Sequence, residues 1–124
     1  MKLESGLQFS LIVDNRDAAI AFYRDTLGLF LAEDGVLVFK YDPLFRMMTR
    51  PAQSEQEQNA IGKQAGDFPL FVLFVPDCRS LSEKLKSASV RFDGDLVLLP
   101  WGEQLTVFDP FGNRVCLATS VYSS

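Results

Sequence analysis

A degenerate internal repeat constrains this chain more than any other feature. Val13 and Val75 lie 62 residues apart, and shifting the sequence by that amount sets Phe9 on Phe71, Leu11 on Leu73 and Asn15 on Asp77. Each copy opens with a strand-like segment followed by a helix-capping residue. A unit with one helix over one sheet leaves its other sheet face uncovered, so two such units must either bring those faces together or enclose something.

In the first copy, Leu7–Val13 alternates, with Phe9, Leu11 and Val13 on one side and Gln8, Ser10 and Ile12 on the other, as a half-buried strand requires. A helix is predicted over Asn15–Leu27. Asp14 or Asn15 caps it, Ala19, Phe22, Tyr23 and Leu27 form its apolar stripe, and Gly28 suits the left-handed position past its end. Strands follow at Leu29–Glu33, Val36–Tyr41 and Leu44–Thr49, separated by the turn formers Asp34-Gly35 and Asp42-Pro43. The polar stretch Arg50–Asp67 reads as a surface connection.

The order then restarts. Pro69–Val75 is a strand, and Asp77 or Ser80 caps a helix bearing Leu81, Leu85 and Ala88, with Ser80-Leu81-Ser82-Glu83 in capping-box form. Val90–Leu99, Glu103–Asp109 and Arg114–Thr119 complete a second βαβββ unit. The expected domain is single and α+β, with one module near residues 5–49, a linker near 50–67 and a second module near 68–120.

An apolar fraction of 48% with 11 Phe among 124 residues supplies ample core for one domain. The formal charge of -4 repels phosphate backbones, which argues against nucleic acid as a partner. The opening Met1-Lys2-Leu3-Glu4-Ser5 lacks signal-peptide character and no run approaches the roughly 20 apolar residues of a membrane span, so the expectation is a cytoplasmic protein without a membrane partner. Cys78 and Cys116 are too few for a disulfide framework and are expected reduced.

Two segments carry a family likeness. Ala21-Phe22-Tyr23-Arg24-Asp25-Thr26-Leu27-Gly28-Leu29 resembles the "FY-x-x-x-LG-[FL]" helix end of the glyoxalase/bleomycin-resistance/dioxygenase (vicinal oxygen chelate) superfamily. Asp109-Pro110-Phe111-Gly112-Asn113 is similar to its "DP-x-GN" turn, and Trp101-Gly102 to the "WG" found upstream of that turn. The physical roles of these residues are structural: ring burial at Phe22 and Tyr23, a sharp exit at Gly28, a tight turn at Pro110 and Gly112. The resemblance implies two βαβββ modules forming a curved, cavity-enclosing mixed sheet, and a homodimer.

Metal-dependent members of that superfamily take ligands from the first and last strand of each module. The resemblance places those positions at Gln8, Leu70, Cys116 and a residue within Leu44–Thr49. The chain has no histidine, Leu70 has no donor atom, and no Asp or Glu occurs between Pro43 and Ser54. A catalytic divalent ion needs about three protein ligands, so neither a metal nor any other cofactor is expected. Cys116 as a nucleophile lacks an imidazole base; the alternative is a small buried apolar residue.

Alternation turns Gln8, Ser10 and Ile12, then Leu70, Val72 and Phe74, then Arg114, Cys116 and Ala118, toward the expected cavity. The candidate ligand-binding residues are Gln8, Ser10, Arg46, Met48, Phe74, Trp101, Arg114 and Cys116, with Met47 also considered, and no catalytic residue is assigned. Local alternatives remain for each: strand pairing for Gln8 and Ser10, a subunit contact for Trp101, solvent for Arg114. The expected function is metal-free binding of a small organic ligand, such as sequestration of an antibiotic or metabolite. The alternatives are a divergent lyase or dioxygenase working through Gln8 or Cys116, and a regulatory or structural module.

Overall fold

A computed structural model describes residues 6–39 and 42–120. The opening segment Met1–Ser5, residues 121–124, and Lys40 and Tyr41, which end the strand expected at Val36–Tyr41, lie outside the described residues. The chain divides into two compact units, Met1–Ile61 and Gly62–Ser124, and each repeats one topology.

The first unit runs β1 (Leu7–Val13), α1 (Arg16–Ile20), β2 (Phe30–Leu31), β3 (Leu37–Phe39), β4 (Asp42–Pro51) and α2 (Glu55–Ala60). Its strands are ordered β1-β4-β3-β2, with β1 parallel to β4 and the other pairs antiparallel. Asn15, rather than Asp14, caps α1, its Oδ1 accepting the Ala18 N–H at 3.0 Å. The helix continues as a wider π-type turn over Ala21–Thr26, marked by the Leu27 N–H donating to the Phe22 carbonyl at 2.9 Å. Gly28, at φ +91, releases the chain there.

That exit explains why β2 is shorter than Leu29–Glu33. The Leu29 N–H is spent on the Tyr23 carbonyl, and the Ala32 N–H closes the Asp34-Gly35 turn onto Val36. The strand expected at Leu44–Thr49 is instead longer, because residues Phe45 to Pro51 match all seven residues of β1 in register. Asp42-Pro43 therefore begins a strand instead of forming a turn between two.

The supposed connection Arg50–Asp67 holds a helix. Ser54 caps α2 by accepting the Glu57 N–H at 3.1 Å, while Glu57 grips Arg50 with two hydrogen bonds of 3.0 and 2.7 Å. Ser54-Glu55-Gln56-Glu57 has the spacing of a capping box, so the signal was present in the sequence.

The second unit runs β5 (Pro69–Phe74), α3 (Cys78–Ser87), β6 (Val97–Leu99), β7 (Gly102–Phe108) and β8 (Arg114–Ser120), ordered β5-β8-β7-β6. Asp77 caps α3, accepting from the Arg79 and Ser80 amides at 3.0 and 3.2 Å. Ser80 instead donates its hydroxyl to Asp77, so it is not the cap. The strand expected over Val90–Leu99 survives only at Val97–Leu99. Gly94, at φ +86, interrupts it, and Phe92 forms a single bridge to Val107.

The architecture is thus α+β, two four-stranded mixed sheets with helices. In the first unit the buried side chains include Leu11, Val13, Leu37 and Met47 with Ala19, Phe22 and Tyr23, and also Ile12 and Val38 on the opposite face; in the second they include Leu85, Leu105, Val107, Val115 and Leu117 with Cys78, and Cys116 on the opposite face. Each fully buried large aliphatic side chain stabilises its unit by roughly 1.5–3 kcal/mol. Phe22 and Tyr23 meet edge to face with centroids 4.9 Å apart.

The Asp109–Asn113 turn is locked from within. Asp109 Oδ1 accepts the Phe111 and Asn113 amides, both at 2.9 Å, and Asn113 Nδ2 donates to Asp109 Oδ2 at 2.9 Å, with both side chains buried. Asp109→Ala leaves those buried donors unmatched and is expected to cost about 3 kcal/mol in urea unfolding. Asn15→Ala, at an exposed cap, should cost only about 1 kcal/mol in the same experiment.

Candidate ligand-binding faces

Partners in strand register share a sheet face, so the candidate residues can be located row by row. In the first unit one row crosses all four strands: Phe30, Val38, Arg46 and Gln8. Ser10 and Met48 pair in the next row of the same face. Gln8, Ser10, Arg46 and Met48 are therefore brought together, on the face opposite the buried Leu11 and Met47. Met47 is fully buried and faces the core. Ile12 shares the face of Gln8 and Ser10 and is buried at 8% exposure.

Arg46 organises this face. Its Nε donates to Gln8 Oε1 at 3.2 Å and its Nη2 donates to Asp34 Oδ2. Asp34 also accepts the Val36 N–H at 3.2 Å. The Arg46 hydrogen bond is the largest of the influences that hold the Asp34 carboxyl below the usual carboxylate range, followed by the Val36 N–H. Sequence reading missed Asp34, whose turn lies 12 residues from Arg46; the register of β3 on β4 brings the turn there. Phe30 was missed as well, although it is half exposed at one end of the row.

In the second unit, Val97, Gln104, Ala118 and Phe74 form one row, and Thr106, Cys116 and Val72 the next. Val72, Phe74 and Val97 are exposed. A register shift between Pro69 and Val72 leaves Leu70 outside the paired rows. Arg114 pairs with Phe108, its guanidinium 5.1 Å from that ring, and its Nε donates to Asp93 Oδ2 at 2.7 Å, so it is tied within the unit. Trp101 sits exposed in the turn between β6 and β7, apart from these rows.

Neither cysteine is an activated nucleophile. Burial, above all, pushes both thiols up from their ordinary range. Cys78 stands at the start of α3, yet its Sγ faces the Leu117 carbonyl at 3.5 Å, and nearby Glu103 and Asp77 further disfavour a thiolate.

The donor set does not fit a catalytic metal. The oxygen of Gln8 is already bonded to Arg46, a fixed cation beside it, and the Cys116 thiol is buried and held in its neutral form. Among the described residues no three His, Cys, Asp or Glu side chains converge. Among the described residues, too, no helix is long and apolar enough to cross a membrane.

Two βαβββ units, each a mixed sheet with a helix between its first two strands, define a class of α+β modules, on which function is set by the site and not by the fold. The chain belongs to the Glyoxalase/Bleomycin resistance protein/Dioxygenase superfamily, whose family model matches residues 7–117. No functionally curated protein matches the sequence. Among solved structures, UcmS2 is similar at 24% identity and a TM-score of 0.79, covering 94% of this chain and 98% of its own. TnmS3, an antibiotic binding protein from Streptomyces sp. CB03234, is similar at 22% identity and a TM-score of 0.74, covering 97% and 98%. A lactoylglutathione lyase from Agrobacterium tumefaciens follows the same fold at 19% identity and a TM-score of 0.62, covering 95% of each chain. These likenesses establish the fold.

Two solution measurements follow. In an NMR titration the Asp34 carboxyl should protonate below an ordinary aspartate, and Arg46→Gln should raise that value. Because the folded-state value is depressed, the contribution of this pair is present above the unfolded-state value and is lost as pH falls through the folded one. At neutral pH, both thiols should resist a thiol reagent in the native protein and react promptly once it is unfolded in guanidinium; prompt native labelling would contradict the burial assigned to them.

Proposed function

We propose that this chain binds a small organic molecule without a metal or other cofactor, acting as a single domain that sequesters an antibiotic or metabolite rather than converting it. The observation that carries this reading is the composition of the open sheet faces. In the first unit exposed Phe30 shares a face with Gln8, Ser10, Arg46 and Met48, and in the second exposed Val72, Phe74 and Val97 share a face with Gln104. Apolar surface carrying a few directed polar groups is the chemistry of a ligand site, where the apolar area supplies affinity and the polar groups fix orientation. Trp101, Arg114 and Cys116 complete the proposed lining. The name of TnmS3, an antibiotic binding protein, is consistent with this reading.

A lyase or dioxygenase role is disfavoured by the same details. Gln8 is engaged by Arg46, and burial holds the Cys116 thiol neutral. A cytoplasmic homodimer that engages neither nucleic acid nor membrane is part of the proposal.

Thermal-shift screening against a library of antibiotics and aromatic metabolites tests it. A binder gains about 2.7 kcal/mol of stability at a ligand concentration 100 times its dissociation constant. The expected result is at least one stabilising compound together with purified protein free of stoichiometric zinc, nickel, iron or manganese. A stoichiometric metal, or a library with no stabilising member, would overturn the reading.

A further inference from the structure

The guanidinium of Arg46 is only partly committed to the protein. Nε and Nη2 are fixed by Gln8 and Asp34, whereas Nη1 makes no hydrogen bond among the described residues, and the side chain is 30% exposed. Two partners on different elements, β1 and the turn between β2 and β3, hold the planar fork in one orientation on the open face. A preoriented arginine with an uncommitted Nη1 is suited to a carboxylate, whose oxygens accept charge-assisted hydrogen bonds from guanidinium N–H groups.

Asp34 does not cancel this charge. Its side chain is 55% exposed, and an exposed ion pair is weak and screened by salt. It orients Arg46 while leaving the guanidinium available to a second anion. The rest of the row supplies the complementary surface. Phe30, half exposed, lies two strands from Arg46 with the small, buried Val38 as the floor between them, so an aromatic contact stands roughly 10 Å from the cation at ordinary strand spacing. The whole row across four strands spans about 14 Å, the length of a molecule of two or three fused rings.

We propose that Arg46 anchors the carboxylate of a flat aromatic acid laid along the row Phe30, Val38, Arg46 and Gln8. The proposal rests on the small-molecule reading above and names the chemical class that the first unit selects. Gln8 has two functions in it: its oxygen orients Arg46, and its amide nitrogen, which makes no hydrogen bond among the described residues, supplies donors for the ligand.

Isothermal titration calorimetry with 2-naphthoate and its neutral counterpart 2-naphthamide tests the assignment. The wild-type protein should bind the acid about tenfold more tightly than the amide, the scale of one additional charge-assisted hydrogen-bond pair. Arg46→Gln should erase that preference while leaving amide affinity in place. Arg79→Gln, which removes an exposed arginine paired with Glu103 elsewhere, should keep it. Asp34→Asn keeps a side-chain oxygen to accept from Arg46 and orient it but removes the residual negative charge beside it, and should modestly strengthen naphthoate binding while leaving naphthamide binding unchanged, an effect that a purely structural role for Arg46 does not produce. Should Arg46→Gln fail to fold by circular dichroism, Arg46→Lys and Asp34→Asn carry the test: the lysine should retain a reduced preference for the acid. Equal affinities for acid and amide in the wild type, or a preference that survives Arg46→Gln, would overturn this inference and leave the small-molecule reading standing. Absence of binding by both probes and by every library compound would overturn both.

Discussion

In each half of this chain the first and last strands, far apart in sequence, lie side by side in parallel: β1 on β4 and β5 on β8. Two parallel neighbours cannot be joined by a tight hairpin, so the chain must cross over through a helix and then return by antiparallel strands. The parallel pair also places β4 and β8 at interior positions, bonded on both sides, and they contribute the buried Met47, Val115 and Leu117. The rest of each unit is arranged around that pairing. The helix caps, the widened turn ending at Gly28 and the locked Asp109–Asn113 turn deliver the chain into it in the right register.

The same pairing builds the candidate faces. Register puts Gln8 beside Arg46 and Ser10 beside Met48, and a slip of one residue would exchange that polar row for the fully buried Leu11 and Met47. Core burial therefore protects the chemistry of the opposite face: the apolar residues that hold the sheet in register hold the polar ones in place. Arg46 and Arg114 illustrate two uses of a cation on such a face. Arg114 lies against Phe108 and bonds Asp93, also nearing Asp67 at 3.9 Å, whereas Arg46 has an Nη1 without a hydrogen bond among the described residues.

Much of this was legible beforehand. The offset of 62 residues equates Asn15 with Asp77, and both prove to be helix caps because the chain makes the same strand-to-helix exit in both units. The alternation of β1 correctly separated Gln8 and Ser10 from Phe9 and Leu11. Boundaries were less legible where backbone bonding overrides side-chain pattern. Leu29 reads as a strand residue, but its amide terminates the helix; Val90–Leu99 reads as one strand, but Gly94 breaks it. The helix at Glu55–Ala60 was obscured by its polar composition, since a surface helix held by a cap and an ion pair shows no apolar stripe.

Sequence alone determined the two-unit α+β plan, the Gly28 helix exit and Asp109–Asn113 turn, and the poverty of metal donors, because each follows from local periodicity or from which atoms the side chains possess. It could not determine which side chains meet. That Arg46 lies between Gln8 and Asp34, that Phe30 shares their row, and that both thiols are buried were decided only by strand register and packing. Those depend on partners many residues apart, whose approach is driven by burial summed over a whole unit.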